Sequence, residues 1–195
     1  MAEIALILGH PRPDGSYCRA LAGAYADAAR AAGHRVTLIE VAALEGDPVL
    51  RDPARHQRGE VPEALRPAQE AIGRAKHLVV IYPLWLGAMP ALLKGFLEQV
   101  MTPGFAYTMG DGAKGRWTKG LKGKSARIIV TMGMPAFVYR WYFGAHSLKS
   151  LKRNILGFCG VGPIRATLFG GIEAVDDARR RGWLEQVADL GRRAA

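Results

Sequence analysis

Short apolar runs that alternate with helix-patterned segments predict an α/β fold, a doubly wound parallel sheet with helices on both faces. The apolar runs are nearly continuous, as is typical of strands that are buried on both faces. The segments between them repeat apolar residues at helical spacing or carry helix start and stop residues. Because no composition shift or linker divides the chain, we expect one domain over residues 1–195.

Five segments are predicted to be strands: 2–9, 34–42, 77–82, 125–133 and 166–172. Strands that alternate with helices in this way indicate the flavodoxin-like arrangement, a five-stranded parallel sheet in the order 2-1-3-4-5. Ligands of such sheets bind outside the carboxyl ends of the strands, at the point between strands 1 and 3 where the strand order reverses. The loops that leave strands 1, 3 and 4 are therefore the ones in which to look for a site.

Four segments are predicted to be helices: 19–33, 63–75, the turns that follow Pro90, and 176–193. The helix after Pro90 has an apolar stripe at intervals of three and four residues, which predicts packing on a core. The last helix has an acidic start and a basic end, which suit the helix dipole. The segments 45–62 and 104–124 are rich in proline or glycine and are predicted to be loops.

The composition narrows the function classes. The net charge of +10 is scattered, which favours a phosphate-bearing cofactor over nucleic acid as the partner. Cys18 and Cys159 lie far apart in no CxxC pattern, so neither a disulfide framework nor a cysteine metal site is predicted. No long apolar span and no signal peptide are present in the sequence, which predicts a cytoplasmic location.

The first loop, GHPRPDGSYCRAL at 9–21, joins strand 1 to the first helix. Ser16 is a natural N-cap, and the backbone N–H groups of Ser16, Tyr17 and Cys18 would point out of the helix start, which suits a phosphate. A plain capped helix explains the same residues equally well. His10 is either a second anion contact or an ordinary loop histidine.

The second and third loops supply apolar residues and a glycine. PLWLGAMP follows strand 3, and its Leu84, Trp85 and Leu86 form either one wall of a flat cofactor site or ordinary packing. TMGMP at 131–135 leaves strand 4, and its Gly133 allows the backbone to approach a ligand. The aromatic segment 137–154 either covers the pocket or forms a dimer contact.

Several stretches together resemble the flavodoxin-like NAD(P)H:quinone oxidoreductases, the group that contains DT-diaphorase, the modulator-of-drug-activity reductases and the ancillary reductases of potassium efflux systems. They are GHPRPDGSYCRAL, YPLWLGAMPALLKGFLEQVMTPGFAY (82–107), the VTMG strand end, GFCGVGPIRATL (157–168) and DDARRRGWLEQV. The resemblance implies a non-covalent flavin, FAD or FMN, and a homodimer with active sites at its interface. It implies ping-pong hydride transfer from NAD(P)H to a quinone-like acceptor, and the basic charge favours NADPH.

The resemblance also implies roles for individual residues. Phosphate contacts are implied for His10, Ser16, Tyr17 and Cys18. Contacts to the flavin ring are implied for Pro83, Leu84, Trp85, Leu86, Thr131, Met132 and Gly133. Catalytic roles are implied for Tyr139 and His146, with Tyr142 as the rival of Tyr139, and no metal is expected.

Two departures from the family pattern leave the choice between FAD and FMN open: TMGM replaces the common TTGG, and Cys18 and Arg19 stand where an asparagine is common.

Two other functions remain as alternatives. One is a redox-sensing regulatory subunit of a membrane transporter, and the other is a flavodoxin-type electron carrier. The latter is disfavoured because the chain is basic and lacks a Thr/Ser-rich phosphate loop.

Overall fold

The computed structural model describes residues 1–110 and 117–195. Its strands are β1 (Glu3–Leu8), β2 (Arg35–Glu40), β3 (His77–Pro83), β4 (Tyr107–Thr108), β5 (Thr118–Lys119), β6 (Ser125–Met132) and β7 (Ile164–Gly170). Its α-helices are α1 (Tyr17–Ala31), α2 (Pro53–Gln57), α3 (Arg66–Arg74), α4 (Ala91–Val100), α5 (Ala136–Trp141), α6 (His146–Ser150), α7 (Gly157–Cys159) and α8 (Asp177–Arg192). Short 3₁₀ turns at Val41–Ala43 and Glu63–Leu65 and a π-helical turn at Leu151–Leu156 complete the described elements.

The main sheet has five parallel strands in the order β2-β1-β3-β6-β7, which confirms the predicted topology. Its register places the carboxyl ends of β1, β3 and β6 side by side, since Leu8 pairs with Ile81 and Pro83 pairs with Thr131. The loops that follow these strands therefore meet at one edge of the sheet. We call this the carboxyl edge, and the opposite one the amino edge.

Two apolar cores cover the two faces of the sheet. One core contains the buried sides of α3 and α4, and the other contains those of α1 and α8. Helices α1 and α8 approach closely, because a Cβ at Gly191 would lie 2.3 Å from the backbone oxygen of Tyr25. Each face of the sheet thus loses its contact with water, as continuous apolar strands require.

The predicted boundaries differ from the observed ones in places where a cap or a pairing decides them. Helix α1 begins at Tyr17, two residues earlier than expected, because Ser16 caps it by accepting a hydrogen bond from Arg19 N. Strand β7 spans Ile164–Gly170 rather than 166–172, since Ile164 and Arg165 already pair with β6. The helix predicted over 63–75 consists of a 3₁₀ turn, Glu63–Leu65, followed by α3, which has Pro67 in its first turn.

Two predicted loops contain short elements. Helix α2 lies within 45–62, and β4 and β5 form a small antiparallel pair within 104–124. Residues 111–116 of the second loop lie outside the described residues. In the described residues, no helix is both long and apolar enough to cross a bilayer. The cytoplasmic location stays a prediction.

Candidate functional site

The loop from Gly9 to Ser16 leaves the buried end of β1 and leads into α1. Its residues Arg12–Gly15 are exposed, whereas His10 and Ser16 are half-buried. Ser16 adopts the extended backbone of an N-cap, and its Oγ accepts from Arg19 N at 3.2 Å. The first N–H groups of a helix have no acceptor within the helix, so this helix start can bind an anion.

His10 belongs to the same loop and faces the neighbouring one. Arg12 N donates to His10 Nδ1 at 3.0 Å, and this contact, shorter than the 3.3 Å between Nδ1 and Arg12 O, favours the tautomer with the ring proton on Nε2. The imidazole meets the Trp85 ring edge-on, with the centroids 5.5 Å apart. Partial burial lowers the pKa of His10, which keeps the ring neutral at pH 7. The loops that follow β1 and β3 are therefore in direct contact through two aromatic rings.

The side chains of Tyr17 and Cys18 point away from the loop. Tyr17 donates its hydroxyl proton to the backbone oxygen of Arg180 at 2.8 Å. The buried Cys18 Sγ lies 3.2 Å from Thr131 Oγ1, and burial raises the pKa of the thiol to about 11. These side chains fasten α1 to its neighbours, so only the backbone groups of the two residues remain for a phosphate.

The loop after β3 forms a tight turn with an exposed apolar tip. Trp85 N donates to Ala88 O and Ala88 N donates to Trp85 O, both at 2.9 Å. The two residues between them have positive φ, 46° at Leu86 and 76° at Gly87, as in a type I′ turn. A leucine rarely adopts this backbone, and here its side chain is fully exposed. The turn thus carries strain and exposes an apolar side chain without any compensating contact in the described residues.

Of the residues predicted to form one wall of the site, some are buried and others are exposed. Pro83 and Leu84 are buried, and Leu84 N donates to Thr131 O at 2.7 Å, which locks this loop to the end of β6. Trp85 is 48% exposed, with only one side of the ring against His10. The surface that a ligand can contact is therefore formed by Trp85 and Leu86.

The loop after β6 shows the same division. Thr131 and Met132 are buried, and the Thr131 hydroxyl is paired with Cys18. Gly133 is exposed, and a Cβ there would lie 4.0 Å from the carboxyl group of Glu173. Backbone groups at Gly133 are thus the accessible part of this loop.

The predicted catalytic tyrosine lies in the core rather than at the open edge. Tyr139 is only 2% exposed, its hydroxyl lies 3.1 Å from Ser147 Oγ, and it accepts from Leu148 N at 3.1 Å. It therefore joins α5 to α6. Its rival Tyr142 is 82% exposed and makes an edge-on contact with Phe143. His146, the first residue of α6, is exposed, and its Nε2 is close to Gly144.

The start of α8 is a part of this edge to which the sequence reasoning assigned no role. Because β7 is parallel to β6, the following helix begins at the carboxyl edge, and Tyr17 contacts it through Arg180 O and the Trp183 ring. Arg179 lies over Trp183, and Arg180 donates to Ile172 O at 2.9 Å. The basic run RRR at 179–181 and the predicted sheet order were the sequence features that could have indicated this part of the edge.

Two cavities in the described part of the chain lie elsewhere. They have volumes of about 250 Å³ and about 180 Å³ and follow the outer side of α4, where Leu50 and His56 line both. The candidate residues line neither cavity. They form an open surface at the carboxyl edge, which we call the shelf. It extends from the helix start capped by Ser16 to the exposed turn of Trp85 and Leu86.

This shelf fits a flat, phosphate-bearing ligand. The helix start and His10 Nε2 offer donors for an anion, and Trp85 with Leu86 offers an apolar surface for a ring system. Gly133 leaves its backbone accessible for hydrogen bonds to a polar ring edge.

Comparison with known proteins identifies the fold family of this chain. A family model described as a flavodoxin-like fold matches residues 2–192. An uncharacterized NAD(P)H oxidoreductase of Haemophilus influenzae is 28% identical over 186 residues, covering 94% of this chain and 91% of that protein. An FMN-dependent NADH:quinone oxidoreductase of Ruegeria pomeroyi is 25% identical over 150 residues, covering 69% and 72% respectively.

A solved structure gives the same result for the fold. The crystal structure of Smu.1420 from Streptococcus mutans has a TM-score of 0.80 to this chain at 29% identity, and the match covers 97% of this chain and 98% of that one. The family match, the sheet order and the loops at its carboxyl edge agree. The protein therefore belongs to the family with the flavodoxin-like fold.

Proposed function

We propose that this protein is a flavin-dependent NAD(P)H oxidoreductase that reduces quinones or related electrophilic acceptors. The observation that carries the proposal is the strained, exposed turn of Trp85 and Leu86 beside the free start of α1. Similarity to relatives named NAD(P)H oxidoreductase and NADH:quinone oxidoreductase supports the same reaction class. A flavin held at this edge would supply the two-electron hydride chemistry, and the proposed order is ping-pong, with the oxidised nucleotide leaving before the acceptor binds.

The residues of the shelf have separate tasks in this proposal. The helix start capped by Ser16 and the Nε2 proton of neutral His10 bind the cofactor's phosphate. Trp85 and Leu86 bind one face of its ring system and exclude water from it. The backbone at Gly133 binds the polar ring edge. FMN and FAD both carry the phosphate and the ring system that these contacts would hold.

Tyr139 and His146 act at two levels in the proposed reaction. Tyr139 is a positioning residue, because its buried hydroxyl holds the start of α6 through Ser147 and Leu148 N. His146 is the exposed residue at that helix start and is the group we assign to bind or protonate the acceptor. Replacement of His146 by Gln should therefore slow acceptor reduction more than it weakens flavin binding.

We propose that a second copy of the chain covers the open shelf. Four aromatic residues of one short segment are exposed, which is unusual for a surface that faces water. They are Phe137, Trp141, Tyr142 and Phe143. They follow β6 and lie on the same side as the carboxyl edge. Sedimentation should give a dimer for the wild type and a monomer for Trp141→Glu, and a monomeric wild type would contradict this part of the proposal.

NADPH is the favoured reductant in this proposal. The net charge of +10 attracts the additional phosphate of NADPH, and Arg179 lies near the start of α8 at the carboxyl edge, where the neighbouring Arg180 is paired with Asp177. We expect Arg179→Gln to raise the KM for NADPH more than that for NADH. Equal changes for the two nucleotides would assign the arginine to general attraction instead.

An absorbance spectrum of the purified protein tests the proposed function most directly. Flavin bands should be present or appear after reconstitution, should collapse on anaerobic addition of NADPH, and should return when a quinone is added. Cofactor released by heat then separates FAD from FMN by chromatography. Bands that fail to bleach with either nucleotide, or a protein that takes up no flavin, would overturn the proposal.

A further inference from the structure

At the amino edge of the sheet, Arg127 is a buried cation on a central strand. It is the third residue of β6, and its side chain lies on the α1/α8 face, as does that of Ile129. The residue is 8% exposed. Arginine is rarely buried to this extent unless a counter-ion neutralises it, because removing a charge from water has a large free-energy cost.

The hydrogen bonds of Arg127 leave part of its guanidinium group unsatisfied. Nη1 donates to Thr167 Oγ1 at 3.3 Å, whereas the buried Nε has no acceptor among the described residues. The hydroxyl of Tyr25, which is 0% exposed, likewise has no partner there. None of the ion pairs found in residues 1–110 and 117–195 includes Arg127.

The charged neighbours of Arg127 have the same sign. Arg165 is its direct partner across the β6–β7 pairing, so the two side chains project from the same face of the sheet. Arg193 follows the end of α8. Helix α8 packs on Tyr25 at Gly191, two residues before Arg193, where a Cβ would lie 2.3 Å from Tyr25 O. Burial, then repulsion from Arg165 and Arg193, lowers the pKa of Arg127, and Tyr25 acts in the opposite direction. A buried guanidinium group with two like charges beside it is unfavourable without an anion between them.

We propose that Arg127, Arg165, Arg193 and Tyr25 form a binding site for a small tetrahedral oxyanion, inorganic phosphate or sulfate. A guanidinium fork matches two oxygens of such an ion, and a tyrosine hydroxyl donates to a third. The exposed Arg165 and Arg193 provide the entrance, and the buried Arg127 and Tyr25 provide the floor.

This site is separate from the shelf at the carboxyl edge. Arg127 and Thr131 are four residues apart on β6, which corresponds to about 13 Å along a strand. The oxyanion site is thus a structural ion site that stabilises the packing of α1 and α8 on the sheet. It does not depend on the proposed oxidoreductase activity.

Thermal unfolding with inorganic phosphate and with sulfate tests the site, in chloride buffer of matched ionic strength. An ion at about a hundredfold excess over its Kd should raise Tm by about 5 °C or more, and the rise should saturate. General salting-out by these ions increases without saturation, so the shape of the titration distinguishes the two effects. No saturable response in the wild-type protein would overturn the proposal.

Variants assign the response to this site rather than to the phosphate loop at the other edge. Arg127→Met should abolish the saturable rise and leave Tm in chloride unchanged or higher, because an unpaired buried cation has been removed. Should that variant fail to fold, the exposed Arg165→Gln should raise the apparent Kd about tenfold, since one of the three guanidinium groups is lost. Arg181→Gln, an exposed change of the same charge on α8, is the matched control and should respond as the wild type does. Equal responses in Arg165→Gln and the wild type would contradict the assignment.

Discussion

The two edges of the sheet depart from ordinary burial in opposite ways. At the carboxyl edge, apolar side chains such as Trp85 and Leu86 are exposed, while the hydroxyl of Thr131 and the thiol of Cys18 are buried beneath them. At the amino edge, charged and titratable groups such as Arg127 and His77 are buried. Exposed apolar surface and buried unpaired charge are the informative exceptions in a folded protein.

The difference indicates the class of ligand that we propose for each edge. An exposed apolar turn next to a free helix start suits a large, partly apolar molecule with a phosphate. A buried cation between like charges suits a small anion that replaces the missing counter-ion. The sheet separates the two proposed sites.

Acidification should affect the amino edge most strongly. Burial, then the charge of Arg127, lowers the pKa of His77 to about 4, whereas the unfolded chain has the ordinary value of 6.5. Between these values the unfolded state binds the proton and the folded state does not, so stability is full above pH 6.5 and is lost as pH falls toward 4. The loss should be about 3 kcal/mol, measured by urea unfolding at several pH values.

His77→Gln should flatten this acid slope, because the glutamine does not titrate. His56→Gln, a change of the same kind at a less buried histidine, is the matched control. A slope that is the same in His77→Gln and the wild type would assign the acid sensitivity to other groups.

Tyr139→Phe should separate a positioning role of this buried tyrosine from a catalytic one. The change leaves Leu148 N without its acceptor in the core, which should destabilise the protein by about 1–3 kcal/mol in urea unfolding. Flavin affinity should stay close to that of the wild type. The exposed Tyr142→Phe is the matched control and should alter neither quantity. A large loss of turnover in Tyr139→Phe with unchanged stability would restore the direct catalytic role.

Trp85→Ala should weaken flavin binding about tenfold, because half of the apolar wall is removed. Flavin fluorescence during titration of the apoprotein measures this directly, and steady-state turnover should fall with it. Trp117→Ala changes a tryptophan that is stacked on Phe158 instead, and serves as the control. Flavin content and rate that are unchanged in Trp85→Ala would refute the assignment of the exposed turn.

Leu86→Asn should have the smallest effect and the most specific one. Asparagine tolerates positive φ, and Asn-Gly favours the type I′ turn, so stability should rise by about 1 kcal/mol. Flavin affinity should decrease at the same time, because an apolar contact is lost. A gain in stability with no change in flavin binding would mean that the strain at this turn serves another purpose.

The predicted fold depended on patterns that are local in the sequence. Continuous apolar strands such as HLVVIY and the capped start of α1 were sufficient for the sheet order, because each pattern reports burial or a cap within a few residues. The ends of β7 were misplaced by two residues, since they are decided by pairing of Ile164 and Arg165 with β6. The three loops of the site were located through the topology and not through any single motif.

The direction of individual side chains could not be read from the same patterns. The sequence placed Cys18 and Tyr139 near the site but did not show that the thiol meets Thr131 or that the phenol holds Leu148 N. The cluster around Arg127 was not anticipated at all, because its members come from β6, β7, the end of α8 and, with Tyr25, α1.

By itself the sequence therefore determined the doubly wound sheet and the basic charge of the molecule, and it predicted the carboxyl edge as the place of the site. The tertiary structure alone decided which candidate residues are exposed, the strained backbone at Leu86, and the buried cation at the opposite edge. The physical reason is range: apolar periodicity and caps act over a few residues of the chain. Burial, hydrogen-bond partners and charge repulsion depend on residues that only the fold brings together.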